Sequence, residues 1–318
     1  MIEQPSFLVV PSGIKAEKTK GCWRYTLQSE ACAGTVELYD VAPGITVLLI
    51  DAHGEVYTTP FSSTCPVVEI NYCLEGRAEF GMSDSDTHYL GEHELIMGMM
   101  HNYSINTAMP LGNYHGVAVK IAESLLTENS LAILRPLDLS LPAIFKQMFA
   151  ERPWHLIPAA DELRAIFSFF PVITPEARPG YAYLKAMEFI IYLKYLEEDV
   201  GKHIEIYPRK QVEIIRQIEQ QLRSELQRHP TIKELASEHC MSPTALKATF
   251  KGVFGQPIAR YAKILRLREA ARLLQQTDLS IAQIAGNVGY KSQSKFGAAF
   301  AAYAHMTPSD FRRAERNR

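Results

Sequence analysis

Two short runs in the last third of the chain carry the side chains best suited to hold a polyanion. Thr244, Lys247, Ala248 and Lys251 share one helical face, and Gln293, Ser294, Lys295 and Ala298 share another. Each set lies opposite an apolar i,i+4 pair, Leu246/Phe250 in the first and Phe296/Phe300 in the second. If the apolar pairs anchor their helices, the polar faces are left free to enter a groove of duplex DNA. The first face, with two lysines, is the better phosphate binder, and the second leans on polar or shape readout. Arg312 and Arg313 add two cations that either contact phosphate or form a solvated tail.

The elements that must hold these faces repeat once. Thr231, Leu235, Ala236, Ser242, Leu246, Phe250 and Tyr261 return as Ser280, Ile284, Ala285, Ser292, Phe296, Phe300 and Phe311. The offset is 49 residues up to Ala236/Ala285 and 50 from Ser242/Ser292 onward, so one residue is inserted in the turn. Thr231 and Ser280 can cap a first helix, with Glu234 and Gln283 completing capping boxes. Ala236 and Ala285 are small where a second helix crosses closely. The turn holds Met241 in one copy and Gly289 in the other, and glycine accepts the left-handed conformation that such turns use. Ser242 and Ser292 then cap the second helices. Between the copies, Ile258 to Gln276 reads as one helix carrying Arg260, Lys263, Arg266, Arg268 and Arg272, which would hold the units about 34 Å apart, one turn of B-DNA.

Charge separates this region from the rest. The net charge is −2. Residues 209–318 hold 19 Lys and Arg against 9 Asp and Glu, a balance of +10, and residues 1–208 hold 14 against 26, a balance of −12. A phosphate polymer would attract the first and repel the second.

The run Ile281-Ala-Gln-Ile-Ala-Gly-Asn-Val-Gly-Tyr-Lys-Ser-Gln-Ser-Lys-Phe296, followed by Phe300, Thr307-Pro308 and Phe311-Arg312, resembles the C-terminal signature of AraC/XylS-type transcription regulators. The resemblance covers residues 210–318. It implies a DNA-binding regulator, not an enzyme, that reads two adjacent major grooves of double-stranded DNA as a homodimer; whether it is an activator and whether it contacts RNA polymerase stay open. Two positions depart from the family: Ala301-Ala302 stand where basic residues are usual, and His305 stands where glycine is usual.

Ahead of this module, residues 35–122 alternate in period two, for example Val36/Leu38, Ile45/Val47/Leu49 and Val68/Ile70/Tyr72/Leu74, with turns at Pro43-Gly44 and Glu75-Gly76-Arg77. That pattern indicates a β-sandwich or small barrel. The family resemblance implies a cupin-like barrel that binds a small-molecule effector or mediates dimerisation. The segment Tyr72-Cys-Leu-Glu-Gly-Arg77, with Val36 to Gly44 and Tyr114-His-Gly116, is similar to the pyochelin-regulator subgroup. Trp23, Tyr39, Tyr72, Met97, His101 and Tyr103 are candidates to line an effector pocket, with plain core as the alternative for each. Residues 123–208 read as a proline-punctuated helical extension. It ends in Tyr181 to Glu198, whose stripe of Leu184, Met187, Ile191 and Tyr195 is to be buried in its own domain or in a dimer seam.

The expected architecture is therefore α+β. A cupin-like β-barrel occupies residues 1–122, a helical extension and possible dimerisation region 123–208, and an all-α double helix-turn-helix 209–318. No His-x-His pair accompanies His88, His93, His101 and His115, so no metal or other cofactor is expected, although His93-Glu94 is a conceivable metal pair. Five cysteines in no ligand spacing suit a reducing cytoplasm. Residues 1–13 carry Glu3 and no basic-then-apolar pattern, so no signal peptide is read, and no apolar run is long enough to span a membrane.

Overall fold

The alternating residues of the first half form antiparallel strands because side chains of period two split cleanly onto two faces. In the computed structural model, residues 7–9, 14–19, 21–58, 61–81, 86–99, 106–168, 173–196 and 205–316 are described. They fall into two units, Met1–Ile206 and Tyr207–Arg318.

The first unit is built on eight antiparallel strands. In spatial order they are Trp154–Ile157, Leu95–Met99, Val68–Gly76, Asn113–Ile121, Ile45–Gly54, Cys32–Ala42, Cys22–Gln28 and Lys15–Thr19. No closed barrel is found among the described residues. The ladder ends at Trp154–Ile157 on one side and at Lys15–Thr19 on the other. Gly44 takes a φ of 76° in the turn between Cys32–Ala42 and Ile45–Gly54, where a β-carbon would meet the Ala122 carbonyl at 2.7 Å. One sheet face buries Tyr39, Val47, Ile70, Tyr72, Met97 and Val117. The opposite face buries Trp23, Leu38, Leu48, Ile96 and Ala118.

Three helices, α1 (Leu141–Met148), α2 (Asp161–Phe167) and α3 (Arg178–Lys194), pack into the first of these cores and share the sheet's interior. Within its own unit, the expected stripe on α3 is buried only in part. Leu184 and Tyr195 are 52% and 67% exposed. The buried side is Ala182, Ala186, Met187, Phe189, Ile190 and Leu193. Apolar residues occupy more than one side of this helix, and the two alanines select the side that can lie closest to the sheet. A buried carboxylate ties the helix down. Glu37 Oε2 accepts from Arg178 Nη1 at 2.7 Å and from the Tyr39 hydroxyl at 2.6 Å, while Oε1 accepts from Arg24 Nη2 at 2.6 Å.

The second unit is helical: α4 (Arg209–Ser224), α5 (Ile232–Glu238), α6 (Pro243–Phe254), α7 (Ile258–Gln276), α8 (Ile281–Asn287), α9 (Gln293–Ala304) and α10 (Pro308–Arg316). No described helix in either unit is long and apolar enough to cross a membrane, and all five cysteines are free thiols.

Candidate nucleic-acid interface

The two copies close their first helices with the same hydrogen bonds. Thr231 Oγ1 accepts from the Glu234 amide at 3.2 Å, and Glu234 Oε2 accepts from the Thr231 amide at 2.6 Å. Ser280 Oγ accepts from the Gln283 amide at 3.2 Å, and Gln283 Oε1 accepts from the Ser280 amide at 2.8 Å. These are the two expected capping boxes.

The turns match as closely. Met241 N–H donates to the Ala236 carbonyl and Tyr290 N–H to the Ala285 carbonyl, each at 2.8 Å. Cys240 N–H donates to Ser237 O at 3.4 Å and Gly289 N–H to Gly286 O at 3.0 Å. Together these form the paired bonds of a Schellman turn, whose central residue must be left-handed. That residue is Gly289 at φ 83° in the second copy and Cys240 at φ 52° in the first. The sequence singled out Met241 in this turn; the residue equivalent to Gly289 is its neighbour Cys240. The inserted residue is then Lys291.

Ser242 and Ser292 cap α6 and α9 by accepting from Ala245 N and Lys295 N at 3.1 and 3.4 Å. Leu246, Phe250, Phe296 and Phe300 are all 0% exposed. Phe250 packs with Phe254 and Tyr261 at centroid separations of 4.7 and 5.4 Å, and Phe300 with Phe296 and Phe311 at 5.7 and 5.4 Å. Such aromatic clusters lock the roll of each helix about its axis. The opposite faces are therefore turned outward: Thr244, Lys247, Ala248 and Lys251 on α6 and Gln293, Ser294, Lys295 and Ala298 on α9 are exposed. His305 ends α9 in the left-handed conformation at φ 57°, as Gly255 ends α6 at φ 70°.

Not every cation belongs to an outward surface. Arg266, one of the basic residues of α7, is 9% exposed; its Nε donates to the Leu226 carbonyl at 2.8 Å and its Nη2 to the Arg228 carbonyl at 2.9 Å. Burial pulls its pKa below the ordinary arginine value. The same segment reaches the second copy, because His229 Nε2 donates to the Gly289 carbonyl at 2.7 Å. Arg266 and residues 226–229 thus pin the linker helix, the first copy and the second turn together. Sequence reasoning missed this pin, since nothing in the residue types marks Arg266 apart from its exposed neighbours Arg260, Lys263 and Arg268.

At the C-terminal helix, Arg312 is half-buried and donates to the Leu279 carbonyl at 2.6 Å, so it faces the loop before α8. Arg313 is exposed beside Asp310, 3.2 Å away.

In the first unit, the structure does not bring all the effector candidates together. Tyr39, Tyr72 and Met97 lie in the core beneath the helices, and Trp23 lies on the opposite sheet face. The Tyr72 ring stacks on Phe167 at 4.7 Å, its hydroxyl lies 3.1 Å from His93 Nδ1, and burial pushes its pKa up to about 12. His101 and Tyr103 lie outside the described residues. His93 is turned toward Tyr72, and Glu94 Oε2 accepts from Gly91 N at 2.6 Å.

Comparison with known proteins locates similarity in the second unit. Residues 235–314 match the family described as a helix-turn-helix domain. The transcriptional regulator AlkR of Acinetobacter baylyi is 34% identical over 82 residues, 26% of this chain and 27% of AlkR. The transcriptional activator AarP of Providencia stuartii is 30% identical over 110 residues, 33% of this chain and 82% of AarP. The arabinose operon regulatory protein of Salmonella typhimurium is 31% identical over 84 residues, 26% of this chain and 30% of that protein. The chain thus spans about a quarter of AlkR's length but most of AarP.

Proposed function

Since the chain belongs to the AraC/XylS-type transcription regulators, we propose that it binds double-stranded DNA with α6 and α9 in two adjacent major grooves. One observation carries this reading: in both copies the anchoring pair is wholly buried while Thr244, Lys247, Ala248 and Lys251, or Gln293, Ser294 and Lys295, face water. None of the three lysines makes an ion pair among the described residues. They are available to phosphate without breaking an existing contact, and the +10 balance of residues 209–318 supplies long-range attraction. Arg313 joins this surface. The pin through Arg266 and His229 supports a fixed spacing of the two helices, which two grooves about 34 Å apart demand.

The first unit is then the regulatory part. It takes a small-molecule effector and pairs two chains into a homodimer in the cytoplasm, and activation proceeds through contact with RNA polymerase. The two-sided sheet with a helix-covered core is a scaffold suited to such a role.

Selection of bound duplexes from a random pool, followed by footprinting, tests the DNA reading. The expected result is two protected segments one helical turn apart, with a salt dependence that flattens by about one unit of slope when Lys247 becomes Ala. Failure to retain any sequence from the pool at low salt would overturn it.

A further inference from the structure

A cluster outside the helical unit has the composition of a metal site. Asp51 and His53 stand two residues apart on strand Ile45–Gly54, so they share one face. His115 on the neighbouring strand is Asp51's direct cross-strand partner. The strand carrying His115 has a register shift between His115 and Gly116 against Val68–Gly76. Such bulges re-aim side chains locally.

Three ligand atoms converge there, all within 4.8 Å of one another. His53 Nε2 is 2.8 Å and His115 Nε2 is 3.4 Å from Asp51 Oδ1. The two imidazole rings lie 5.2 Å apart in an edge-on arrangement. Oδ1 is shielded from water yet accepts no hydrogen bond, although both nitrogens are near. The nitrogens are therefore close to the oxygen without being aligned to donate to it, as expected of donors aimed at a shared point.

Metal–ligand lengths of about 2.0–2.2 Å place adjacent donors roughly 2.9 Å apart at right angles and roughly 3.4 Å apart at the tetrahedral angle. The observed separations sit at those two values. Two imidazoles and one carboxylate select a first-row divalent ion over calcium or magnesium, which prefer oxygen ligands alone. The site lies at the outer end of the strands, with His53 exposed and Asp51 and His115 half-buried, so an ion can enter from solvent. The register places further oxygen donors next to it, with Asn113 opposite His53, Thr35 opposite Asp51 and Glu75 opposite His115.

We propose that Asp51, His53 and His115 bind a divalent transition-metal ion of the zinc, cobalt or nickel type. Three protein ligands leave positions open for water. The proposal is independent of the DNA-binding reading, since it uses no residue of the second unit.

The test uses the full-length protein, stripped with chelator and titrated with zinc by calorimetry and with cobalt by visible absorption. One ion per chain is expected, with cobalt bands of a nitrogen- and oxygen-ligated ion that zinc abolishes. His53→Ala, His115→Ala and Asp51→Asn should each weaken binding about 10- to 100-fold or more, the range that losing even a supporting hydrogen-bond partner costs a metal site. Cys240→Ser, which removes an exposed thiol, should leave the titration unchanged. A readout on the unaltered protein guards against variants that fail to fold: zinc should protect His53 and His115 together from carbethoxylation. Absence of saturable zinc uptake, titrations unchanged by His53→Ala and His115→Ala, or zinc that leaves both histidines open to the reagent would each overturn the proposal.

Discussion

The two equivalent turns should respond in opposite directions to exchanging their residues. Cys240 holds φ 52° with a side chain, at a conformation that costs an L-residue roughly 1–2 kcal/mol. Cys240→Gly removes that cost, and the extra freedom of glycine in the unfolded chain takes back about 0.4–1 kcal/mol. The net expectation is a stabilisation of roughly 0.5–1 kcal/mol. Gly289→Ala adds the same left-handed cost and more. Its new β-carbon would stand 2.7 Å from the Leu226 carbonyl oxygen and 3.1 Å from Gln227 Cα, both backbone atoms that cannot rotate away. It also disturbs the carbonyl that accepts from His229. A loss of about 2–4 kcal/mol follows from strain plus overpacking. The assay is urea unfolding of the full chain with two probes. Both tryptophans, Trp23 and Trp154, lie in the first unit, so their fluorescence reports that unit, while helical circular dichroism is dominated by the second. The dichroism transition should move up for Cys240→Gly and down for Gly289→Ala, with the fluorescence midpoint unmoved. A lower midpoint for Cys240→Gly, or no change for Gly289→Ala, would refute the turn assignment.

Three further outcomes are expected. In footprinting titrations Lys247→Ala should weaken DNA binding more than Lys295→Ala, because Lys247 acts beside Lys251 on a face with two cations; a larger loss for Lys295→Ala contradicts this. Arg266→Gln should destabilise the second unit by roughly 1–3 kcal/mol, since one of the two carbonyls held by the buried guanidinium loses its charged donor. The salt slope of DNA binding should stay as it was, whereas an arginine on phosphate would flatten it by about one. Burial pushes the Glu37 carboxyl up, but the hydrogen bonds from Tyr39 and Arg24 and the charge of Arg178 outweigh it and hold the group below the ordinary carboxylate value. A depressed folded pKa gives stability that is present above the ordinary value and lost as pH falls through the folded one. The tryptophan-reported midpoint should therefore drop as pH falls below about 4.3, and Glu37→Gln should flatten that dependence relative to the parent. Equal slopes in the two proteins would count against the network.

The helical repeat is readable from residue order because each of its parts is local. A cap, a left-handed turn and an i,i+4 anchor are all settled by neighbours a few positions away, so Thr231, Ser280, Phe250 and Phe300 announce their roles without reference to distant chain. Strand positions and their two faces are readable for the same reason. Which strands become edges is not, because closure depends on whether Lys15–Thr19 and Trp154–Ile157 meet, and period two is silent on partners. Asp51-Ala-His53 shows a same-face pair that a search for His-x-His passes over, and His115 joins it only through strand register.

Order along the chain thus determined α6 and α9, the faces they turn outward, and the positive balance of residues 209–318. Tertiary packing decided which cations bond to the backbone of their own unit. Arg266 and Arg312 have the same chemistry as Arg260 and Arg313, yet the first two are spent on backbone carbonyls inside the unit. It likewise chose the buried side of α3 and gathered Asp51, His53 and His115 at one end of the sheet. The physical reason is common to all three. A side chain's partners across a fold are set by distances between segments far apart in sequence, and local propensity carries no information about those distances.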